Sequence, residues 1–448
     1  MSPSSLCAIP HLLSSGSPRA KQIDAVYQLL LQTAKQSETE RRAQQLAQLF
    51  GVVLLAQHLV PGYRARLPKW SRDHNMSWQE FHDLPILKRS DLQELGTDLH
   101  SVKPHAAYQS VASATSSGST GKPIVTHGHR ASGIMGKALQ LRMQAQQDYD
   151  FGASCAFIVS PHKRGVADPP HGKVAGSWSA PLGQGEAKVL SLLTDTVDQL
   201  QWLRKMSAPY FATYPSNLLA LLKESERTGI QPLHLRSVVL SSEPVSNELI
   251  AMTERLWGAE CLPTYSASEV GLMACAAVDG SGYYVQSENV YLEVLREDDS
   301  PCRTGEVGRV VVTTLQDFLR PLIRYEVGDY AELAETDEND PVTLPRMRRI
   351  VGRERTMIRL PQGGQIWPHF EFAALIEHGG IRQWQLVQRK DMSIDVRVVP
   401  TGEMTRELAE MVHGVVTASL PGIEARVQSV SKIERTAGGK YLELVSEL

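Results

Sequence analysis

Cysteines and long apolar runs are scarce in this sequence of 448 residues. The longest apolar run near the start, Val52–Ala56, is far too short to span a bilayer. The first residues also lack the basic stretch and apolar core of a secretory signal. The five cysteines are scattered and odd in number, without a close pair of metal-binding spacing: Cys7, Cys155, Cys261, Cys275 and Cys302. That pattern argues against a disulfide framework and is typical of a reducing compartment, so we expect a cytoplasmic protein.

A strong charge of either sign is also lacking. The formal net charge is −3 at pH 7, which gives no electrostatic reason to expect nucleic acid or an anionic membrane as a partner. Hydrophobic residues make up 42% and charged residues 21%, as in an ordinary globular protein. A chain of this length is too long for one small core, so two domains are the natural expectation.

Periodicity predicts an α/β fold for most of the chain. Apolar residues at helical spacing predict one or two amphipathic helices over residues 20–48. From about 105 to 350, short β-rich runs alternate with helical stretches. Val238–Ser241 is typical of a strand, and a turn and a helix follow it. Such alternation favours a domain whose sheets are covered by helices.

The composition changes near Gly352, and the pattern after it predicts a smaller α+β unit. Residues 381–388 and 394–399 are typical of paired strands, 403–420 of a helix and 423–430 of a further strand.

The most informative segment is a run of small hydroxyl residues and glycines that ends in a lysine: Thr115, Ser116, Ser117, Gly118, Ser119, Thr120, Gly121 and Lys122. Backbone amides in such a run can wrap a polyphosphate, although a flexible surface loop has the same composition. A P-loop needs four residues between its glycines and a Ser or Thr after its lysine. Here two residues separate Gly118 from Gly121, and Pro123 follows Lys122, which argues against a P-loop kinase or ATPase.

The order of this loop resembles the phosphate loop of the acyl-adenylate-forming superfamily, and the other motifs of that superfamily follow in sequence. Ser242-Glu243-Pro244 resembles its Gly-Glu-Pro-like turn, and Tyr265–Glu269 resembles its aromatic-x-x-Ser/Thr-Glu motif. Gly305–Leu315 and Pro321–Asp329 narrow the resemblance to the phenylacetate–CoA ligase branch, including its CapK-like members. The resemblance runs from about residue 75 to the C-terminus.

Two weaker matches accompany these motifs. Trp78–Leu92 resembles a segment early in the same branch, and Tyr214-Pro215-Ser216 resembles a substrate-side segment.

The resemblance implies an ATP site. The loop Thr115–Lys122 would bind the phosphates, the turn Ser242–Pro244 would face adenine, and Tyr265 would stack on it. Ser266 and Ser268 would join the nucleotide site, with the Ser268 hydroxyl on the α-phosphate. Glu269 and Thr120 would bind Mg²⁺, an ion that prefers a carboxylate or two together with phosphate oxygens. Asp329 would accept hydrogen bonds from the ribose hydroxyls.

A mobile C-terminal lid is also implied. Arg353 fits the arginine that contacts ribose, Arg355 the hinge, and Lys440 the catalytic lysine that stabilises charge as a carboxylate attacks the α-phosphate. Arg355 and Thr356 stand where the family has acidic residues, which puts the swing of the lid in question. Hinge positions absorb backbone rotation and need not keep one residue type.

The expected architecture is therefore α/β: a large multi-subdomain adenylating domain with a small mobile α+β lid. Residues 1–70 would form a helical segment of the large domain, 71–352 the ATP- and acid-binding domain, and 353–448 the lid. The expected reaction activates an aryl or other small carboxylic acid with ATP and Mg²⁺, and then transfers the acyl group to coenzyme A.

The sequence leaves alternatives open for the acceptor and for the function. The acceptor can instead be the phosphopantetheine of a carrier protein or an amine, and a pseudoenzyme that only binds nucleotide is a third hypothesis. The oligomeric state, including a homodimer, is left open.

His127 and His129 are a tempting metal pair, but no third ligand stands at supporting spacing, so we interpret them as surface or nucleotide-adjacent histidines. A serine hydrolase is not supported, because no Gly-x-Ser-x-Gly elbow occurs in a strand-to-helix context.

Overall fold

The computed structural model describes residues 9–115, 124–160, 171–336, 340–353, 357–363, 365–366, 380–420, 422–434 and 444–448. The chain divides into two compact units. The first is Met1–Val327 with Ala331–Ile350, and the second is Gly328–Tyr330 with Val351–Leu448.

The first unit alternates helices and strands along the chain. Its helices are α1 (Ile9–Ser14), α2 (Arg19–Thr33), α3 (Glu38–Leu59), α4 (Trp78–His82), α5 (Arg89–Leu95), α6 (Arg130–Gln146), α7 (Thr196–Met206), α8 (Pro215–Thr228) and α9 (Asn247–Trp257). Its strands are β1 (Ser110–Thr115), β2 (Val125–His129), β3 (Cys155–Val159), β4 (Lys173–Ser177), β5 (Glu186–Ser191), β6 (Tyr210–Thr213), β7 (Ser237–Leu240), β8 (Glu260–Ala267), β9 (Gly271–Ala276), β10 (Tyr283–Val285), β11 (Val290–Leu295), β12 (Val307–Thr314), and most of β13 (Tyr325–Ala334) and β14 (Arg346–Arg353). Gly328–Tyr330 of β13 and the last three residues of β14 belong to the second unit.

A long sheet runs in the order β11-β12-β13-β14-β10-β9-β8-β7-β6-β3-β5-β4. Strands β5, β3, β6, β7 and β8 are mutually parallel neighbours, whereas β9 pairs antiparallel with β8. The register aligns Thr213 with Leu240 and Leu240 with Pro263, so the carboxyl ends of β6 and β7 lie side by side against β8. A separate hairpin joins β1 to β2.

Helices α7, α8 and α9 cover one face of the parallel strands. Ile158, Phe211 and Val238 on that face are fully buried in one apolar cluster with leucines of these helices. The helix ends follow from local chemistry: α8 begins at Pro215, and α9 is capped by the Ser246 side chain. Both helices end at a glycine with positive φ, which satisfies the last carbonyls. The predicted β7–turn–α9 unit is confirmed.

A buried arginine fixes α6 in the first unit. Arg142 is fully buried and forms an ion pair with Glu288. Its guanidinium also donates to the Leu30 carbonyl at 3.1 Å and to Gln286 Oε1 at 2.7 Å. Because these partners come from α2 and from the segment after β10, the interaction sets the position of α6 against the sheet.

The second unit is a small α+β fold. It contains β15 (Ile358–Arg359), β16 (Gln365–Ile366), β17 (Ile381–Gln388), β18 (Ile394–Pro400), α10 (Arg406–Ser419), β19 (Ala425–Ser429) and β20 (Leu444–Ser446). The main sheet has the order β19-β18-β17-β20, and α10 packs Val412 and Val416 into its core. The predicted fold class, α/β with a smaller α+β unit, is confirmed. The helix predicted from 403 begins at Arg406, because the Thr405 side chain caps it.

Across the part of the chain that the structure describes, no helix combines the length and hydropathy that a membrane span requires.

Candidate functional site

A cavity of about 300 Å³ opens where β3, β6, β7 and β8 end. Phe157, Ala212 and Val239 line it from the face of the sheet opposite α7, α8 and α9. Its other described apolar residues are Met143, Val159 and Leu272, and its polar residues are Gln140, Thr213, Tyr214, Ser241, Thr264 and Ser266. The carboxyl edge of parallel strands is where α/β sheets bind ligands, so this cavity is the candidate binding site.

A larger surface groove of about 530 Å³ lies elsewhere. It is lined by Arg204, Lys205 and Ser207, which precede β6, and by Ile230 and Leu233, which precede β7. These residues lie at the amino ends of the strands, away from every motif residue, so we do not assign the groove to the reaction.

The turn Ser242-Glu243-Pro244 follows β7 at the rim of the cavity. Ser242 has φ of +73°, an unusual conformation for a residue with a side chain. The Glu243 carboxylate accepts a hydrogen bond from the Ser216 backbone amide at 2.8 Å and another from the Ser216 hydroxyl at 3.2 Å. Ser216 lies in the first turn of α8, where a carboxylate is favoured by the unpaired amides and the helix dipole. The Glu243 side chain therefore anchors the strained turn to α8.

The hairpin between β8 and β9 carries the second motif. Tyr265 is 6% exposed and pairs with Ala274 of β9. Ser266 lines the cavity, whereas Ser268 is exposed in the turn that precedes Gly271. The hairpin thus borders the cavity on the side away from β7. The adenine-stacking role of Tyr265 and the phosphate contact of Ser268 stay predictions.

Glu269, in the same turn, is held by residues from two other motifs. The Tyr325 hydroxyl donates to Glu269 Oε1 at 2.9 Å, and the Arg89 guanidinium lies 3.7 Å from the same oxygen. Burial, together with the nearby Glu269 carboxylate, raises the pKa of Tyr325, so its phenol remains a donor. No hydrogen bond to another described residue involves Glu269 Oε2.

Backbone pairing brings the Trp78–Leu92 segment to this point. The Leu87 amide donates to the Arg324 carbonyl at 2.9 Å, and the Glu326 amide donates to the Leu87 carbonyl at 2.9 Å. The Arg324 side chain forms a buried ion pair with Glu293 at 3.0 Å. Arg324 therefore has a structural role, and Tyr325 is the residue of this motif that contacts Glu269.

The two candidate histidines have separate partners. His129 Nδ1 accepts a hydrogen bond from the Ser132 amide at 3.0 Å and so caps α6, while Nε2 lies 3.1 Å from Asp317. The His129 side chain is fully buried, so the surface half of its interpretation is wrong, whereas the nucleotide-adjacent alternative stays a prediction. His127 packs edge-on against His100, and burial lowers the pKa of both imidazoles. Within the described ranges, no three His, Cys, Asp or Glu side chains form a cluster that could bind a metal ion.

Three of the remaining predicted residues lie in described strands, and the others lie outside the described ranges. Asp329 lies in β13 and is buried, Thr115 ends β1 opposite Val125, and Arg353 ends β14. The other phosphate-loop and lid residues lie outside the described residues: Ser116, Ser117, Gly118, Ser119, Thr120, Gly121, Lys122, Arg355 and Lys440. Their assignments stay predictions.

Sequence reasoning missed several residues of the site. Gln140 and Met143 of α6 line the cavity, and Arg89 and Tyr325 contact Glu269. Tyr325 stands inside a recognised motif, which is a usable signal. The two α6 residues carry no such signal, because only the packing of α6 brings them to the strand ends.

The chain is similar to known proteins in sequence and in fold. No protein-family model matches the chain. Phenylacetate-coenzyme A ligase of Escherichia coli (strain K12) is 27% identical over 355 residues, which cover 74% of this chain and 75% of the relative. The enzyme of the same name from Aromatoleum evansii is 25% identical over 351 residues, covering 75% of each protein.

A crystal structure of 2-hydroxyisobutyryl-CoA ligase in the postadenylation state, in complex with R3-HIB-AMP, matches with a TM-score of 0.73 and 20% identity. The match covers 92% of this chain and 91% of that chain, and at this identity it shows similarity of the fold alone.

The predicted resemblance to the acyl-adenylate-forming superfamily and its phenylacetate–CoA ligase branch is confirmed. The predicted class of enzyme, an acid–thiol ligase of the acyl-adenylate-forming type, is confirmed with it.

Proposed function

We propose that this enzyme activates a small carboxylic acid with ATP to an acyl-adenylate and then transfers the acyl group to the thiol of coenzyme A. One observation carries the proposal: the cavity at the strand ends is bordered by both nucleotide motifs. Ser241 lines the cavity directly before the turn Ser242–Pro244, and Thr264 and Ser266 line it on either side of Tyr265. An acid in the cavity would therefore lie beside a nucleotide held by the two turns.

Different groups of residues have separate roles in the first step. The cavity binds the acid, while Ser242–Pro244 and Tyr265 bind adenine. The loop Thr115–Lys122 binds the phosphates, and Asp329 and Arg353 bind the ribose. The acid carboxylate attacks the α-phosphorus, the bond to the β-phosphate oxygen breaks, and pyrophosphate leaves. Lys440 stabilises the negative charge that develops on the transferring group.

Glu269 suits a magnesium ion in this scheme. Tyr325 and Arg89 engage only Oε1, so Oε2 can accept a cation. One protein carboxylate together with phosphate oxygens is a common way to bind Mg²⁺. Thr120 is the second proposed protein ligand, and the ion would neutralise phosphate charge.

The second step needs a different arrangement of the C-terminal residues. We assign residues 353–448 to the lid and the change of orientation to rotation about Arg355, after which the coenzyme A thiol attacks the acyl carbon and AMP leaves. The resemblance to CoA ligases supports coenzyme A as the acceptor.

Acid-dependent exchange of pyrophosphate into ATP tests the first step. A panel of aryl, alkyl and dicarboxylic acids should include at least one that supports exchange, and Lys440→Ala should reduce its rate by at least a hundredfold. No exchange with any acid would overturn the proposal and favour a pseudoenzyme. Exchange at the wild-type rate in Lys440→Ala would refute the role of Lys440.

AMP release with coenzyme A, a phosphopantetheinyl carrier protein or an amine tests the second step. We expect coenzyme A to accelerate AMP release by at least tenfold over the other two acceptors. If only the carrier protein or the amine accelerated AMP release, the proposed adenylation would stand, but the assignment of coenzyme A as the acceptor would be wrong.

A further inference from the structure

The polar side chains of the cavity differ in whether they already have partners. The Thr213 hydroxyl donates to the Ile158 carbonyl at 2.9 Å and accepts from Asn217. The Thr264 hydroxyl donates to the Leu240 carbonyl at 2.9 Å. Among the described residues, in contrast, the side chains of Gln140, Ser241 and Ser266 have no hydrogen-bond partner although all three line the cavity. Ser266 is assigned to the nucleotide, so Gln140 and Ser241 are the two groups that the acid would meet.

An acid that fills the cavity would displace the water that hydrates these two groups. A wholly apolar acid would leave the Gln140 amide and the Ser241 hydroxyl without hydrogen bonds, which costs binding free energy. An acid with a hydrogen-bonding substituent would replace the lost water. The cost falls mainly on Gln140, whose amide has two donor hydrogens and an acceptor oxygen.

The charge and size of the cavity further restrict which carboxylic acids it can bind. None of the described residues that line it is acidic, basic or a histidine, so a second carboxylate or an ammonium group on the acid would be buried without a counter-charge. Its volume of about 300 Å³ corresponds to roughly ten water molecules, or an acid of about ten non-hydrogen atoms. The walls formed by Phe157, Met143 and Leu272 favour a flat apolar ring.

We propose that Gln140 determines the specificity of the acid pocket, and that the preferred substrate is a one-ring carboxylic acid with a neutral hydrogen-bonding substituent such as a hydroxyl group. The inference rests on the proposed adenylation function and on the assignment of the cavity to the acid. Gln140 is the sharpest test of it, because α6 carries no residue of the nucleotide motifs.

The experiment measures kcat/KM of pyrophosphate exchange for matched acids: phenylacetate with its 3- and 4-hydroxy derivatives, benzoate with its 3- and 4-hydroxy derivatives, and the corresponding dicarboxylates. The wild type should prefer one hydroxylated acid over its parent by about tenfold or more, and should reject the dicarboxylates. Gln140→Leu should reduce that preference by about tenfold, through a lower kcat/KM for the hydroxylated acid and an unchanged or higher value for the parent.

Gln140→Met provides a second apolar replacement of similar length, and Gln201→Leu, on the exposed side of α7, is the matched control. A wild-type preference for the parent acids or the dicarboxylates would overturn the inference and leave adenylation intact. Equal losses for both members of a pair in Gln140→Leu and Gln140→Met would also overturn it. Absence of exchange with every acid would overturn the proposed function itself.

Discussion

The phenol of Tyr325 donates a hydrogen bond of 2.9 Å to Oε1 of Glu269, although 56 residues separate the two along the chain. The bond connects the start of β13 to the turn between β8 and β9. It occupies one carboxylate oxygen and leaves the other for the proposed magnesium ion. Tyr325 is thus a positioning residue for Glu269.

Tyr325→Phe should raise the Mg²⁺ concentration needed for half-maximal pyrophosphate exchange by about tenfold, because the Glu269 carboxylate loses the donor that orients it. Magnesium titrations of wild type and variant measure the shift. Tyr283→Phe, which removes a half-buried phenol of β10 outside the site, is the control. An unchanged magnesium dependence in Tyr325→Phe would show that the bond does not orient a ligand.

Glu243→Ala should affect ATP binding more than the chemical step. The variant removes both hydrogen bonds to Ser216 and releases the Ser242 turn, so we expect KM for ATP to rise about tenfold while kcat changes less. Loss of a carboxylate at the start of α8 should also lower the free energy of unfolding by about 1 kcal/mol. Steady-state exchange kinetics at varied ATP and urea unfolding measure the two effects.

Glu254→Ala on α9 is the matched control for this variant, since Glu254 is exposed and forms no ion pair with another described residue. If Glu243→Ala lowered kcat and left KM for ATP unchanged, the turn would not position adenine, and its assignment would have to be revised.

Arg142→Met should destabilise the first unit by about 3–5 kcal/mol, because Glu288 would remain buried without its counter-charge. Urea unfolding measures the loss. The double variant Arg142→Met/Glu288→Gln should recover a large part of it, since the uncompensated charge is gone. Arg255→Met removes an exposed ion pair with Glu226 and should cost about 0–1 kcal/mol. A cost of that small size for Arg142→Met would contradict the anchoring of α6.

The local elements of the fold were predictable because their signals are local. The boundaries of β7 and α9 follow from a β-branched run, the Ser246 cap and the terminal Gly258, all within some twenty residues. The two nucleotide turns were located in the same way, since each motif is a short continuous stretch. The capping role of His129 was missed because a histidine N-cap is not distinguishable from an exposed histidine by spacing.

The cavity could not be derived from such signals. Gln140 reaches it because Arg142, two residues later on α6, is bound to Glu288, which is 146 residues away in sequence. Pairing of Leu87 with Tyr325 similarly depends on the order of strands in the sheet. A single sequence indicates which residues are helical or motif-like, but contacts of this separation are set by tertiary packing.

The burial of Lys137 on α6 can be tested through the pH dependence of the unfolding free energy. Burial lowers its pKa to about 8 from 10.5, although the nearby Cys155 thiol opposes the shift, and its amine donates to the Trp178 carbonyl. Between these two pH values the unfolded chain binds more protons than the folded one, so stability attributable to Lys137 rises with pH. It is lost as the pH falls from about 10.5 to about 8, and it changes no further below that.

Lys137→Met lacks this titration. The unfolding free energy of the wild type relative to this variant should therefore increase between pH 8 and pH 10, by at most about 3 kcal/mol over the full interval. Urea unfolding of both proteins at pH 7, 8, 9 and 10 measures the difference, in which groups common to both cancel. The unfolding free energy of the wild type relative to Lys137→Arg, which keeps its proton throughout, should increase in the same way. A difference that stayed constant over this range would mean that Lys137 retains its charge in the fold, and hence that α6 admits water beside Trp178.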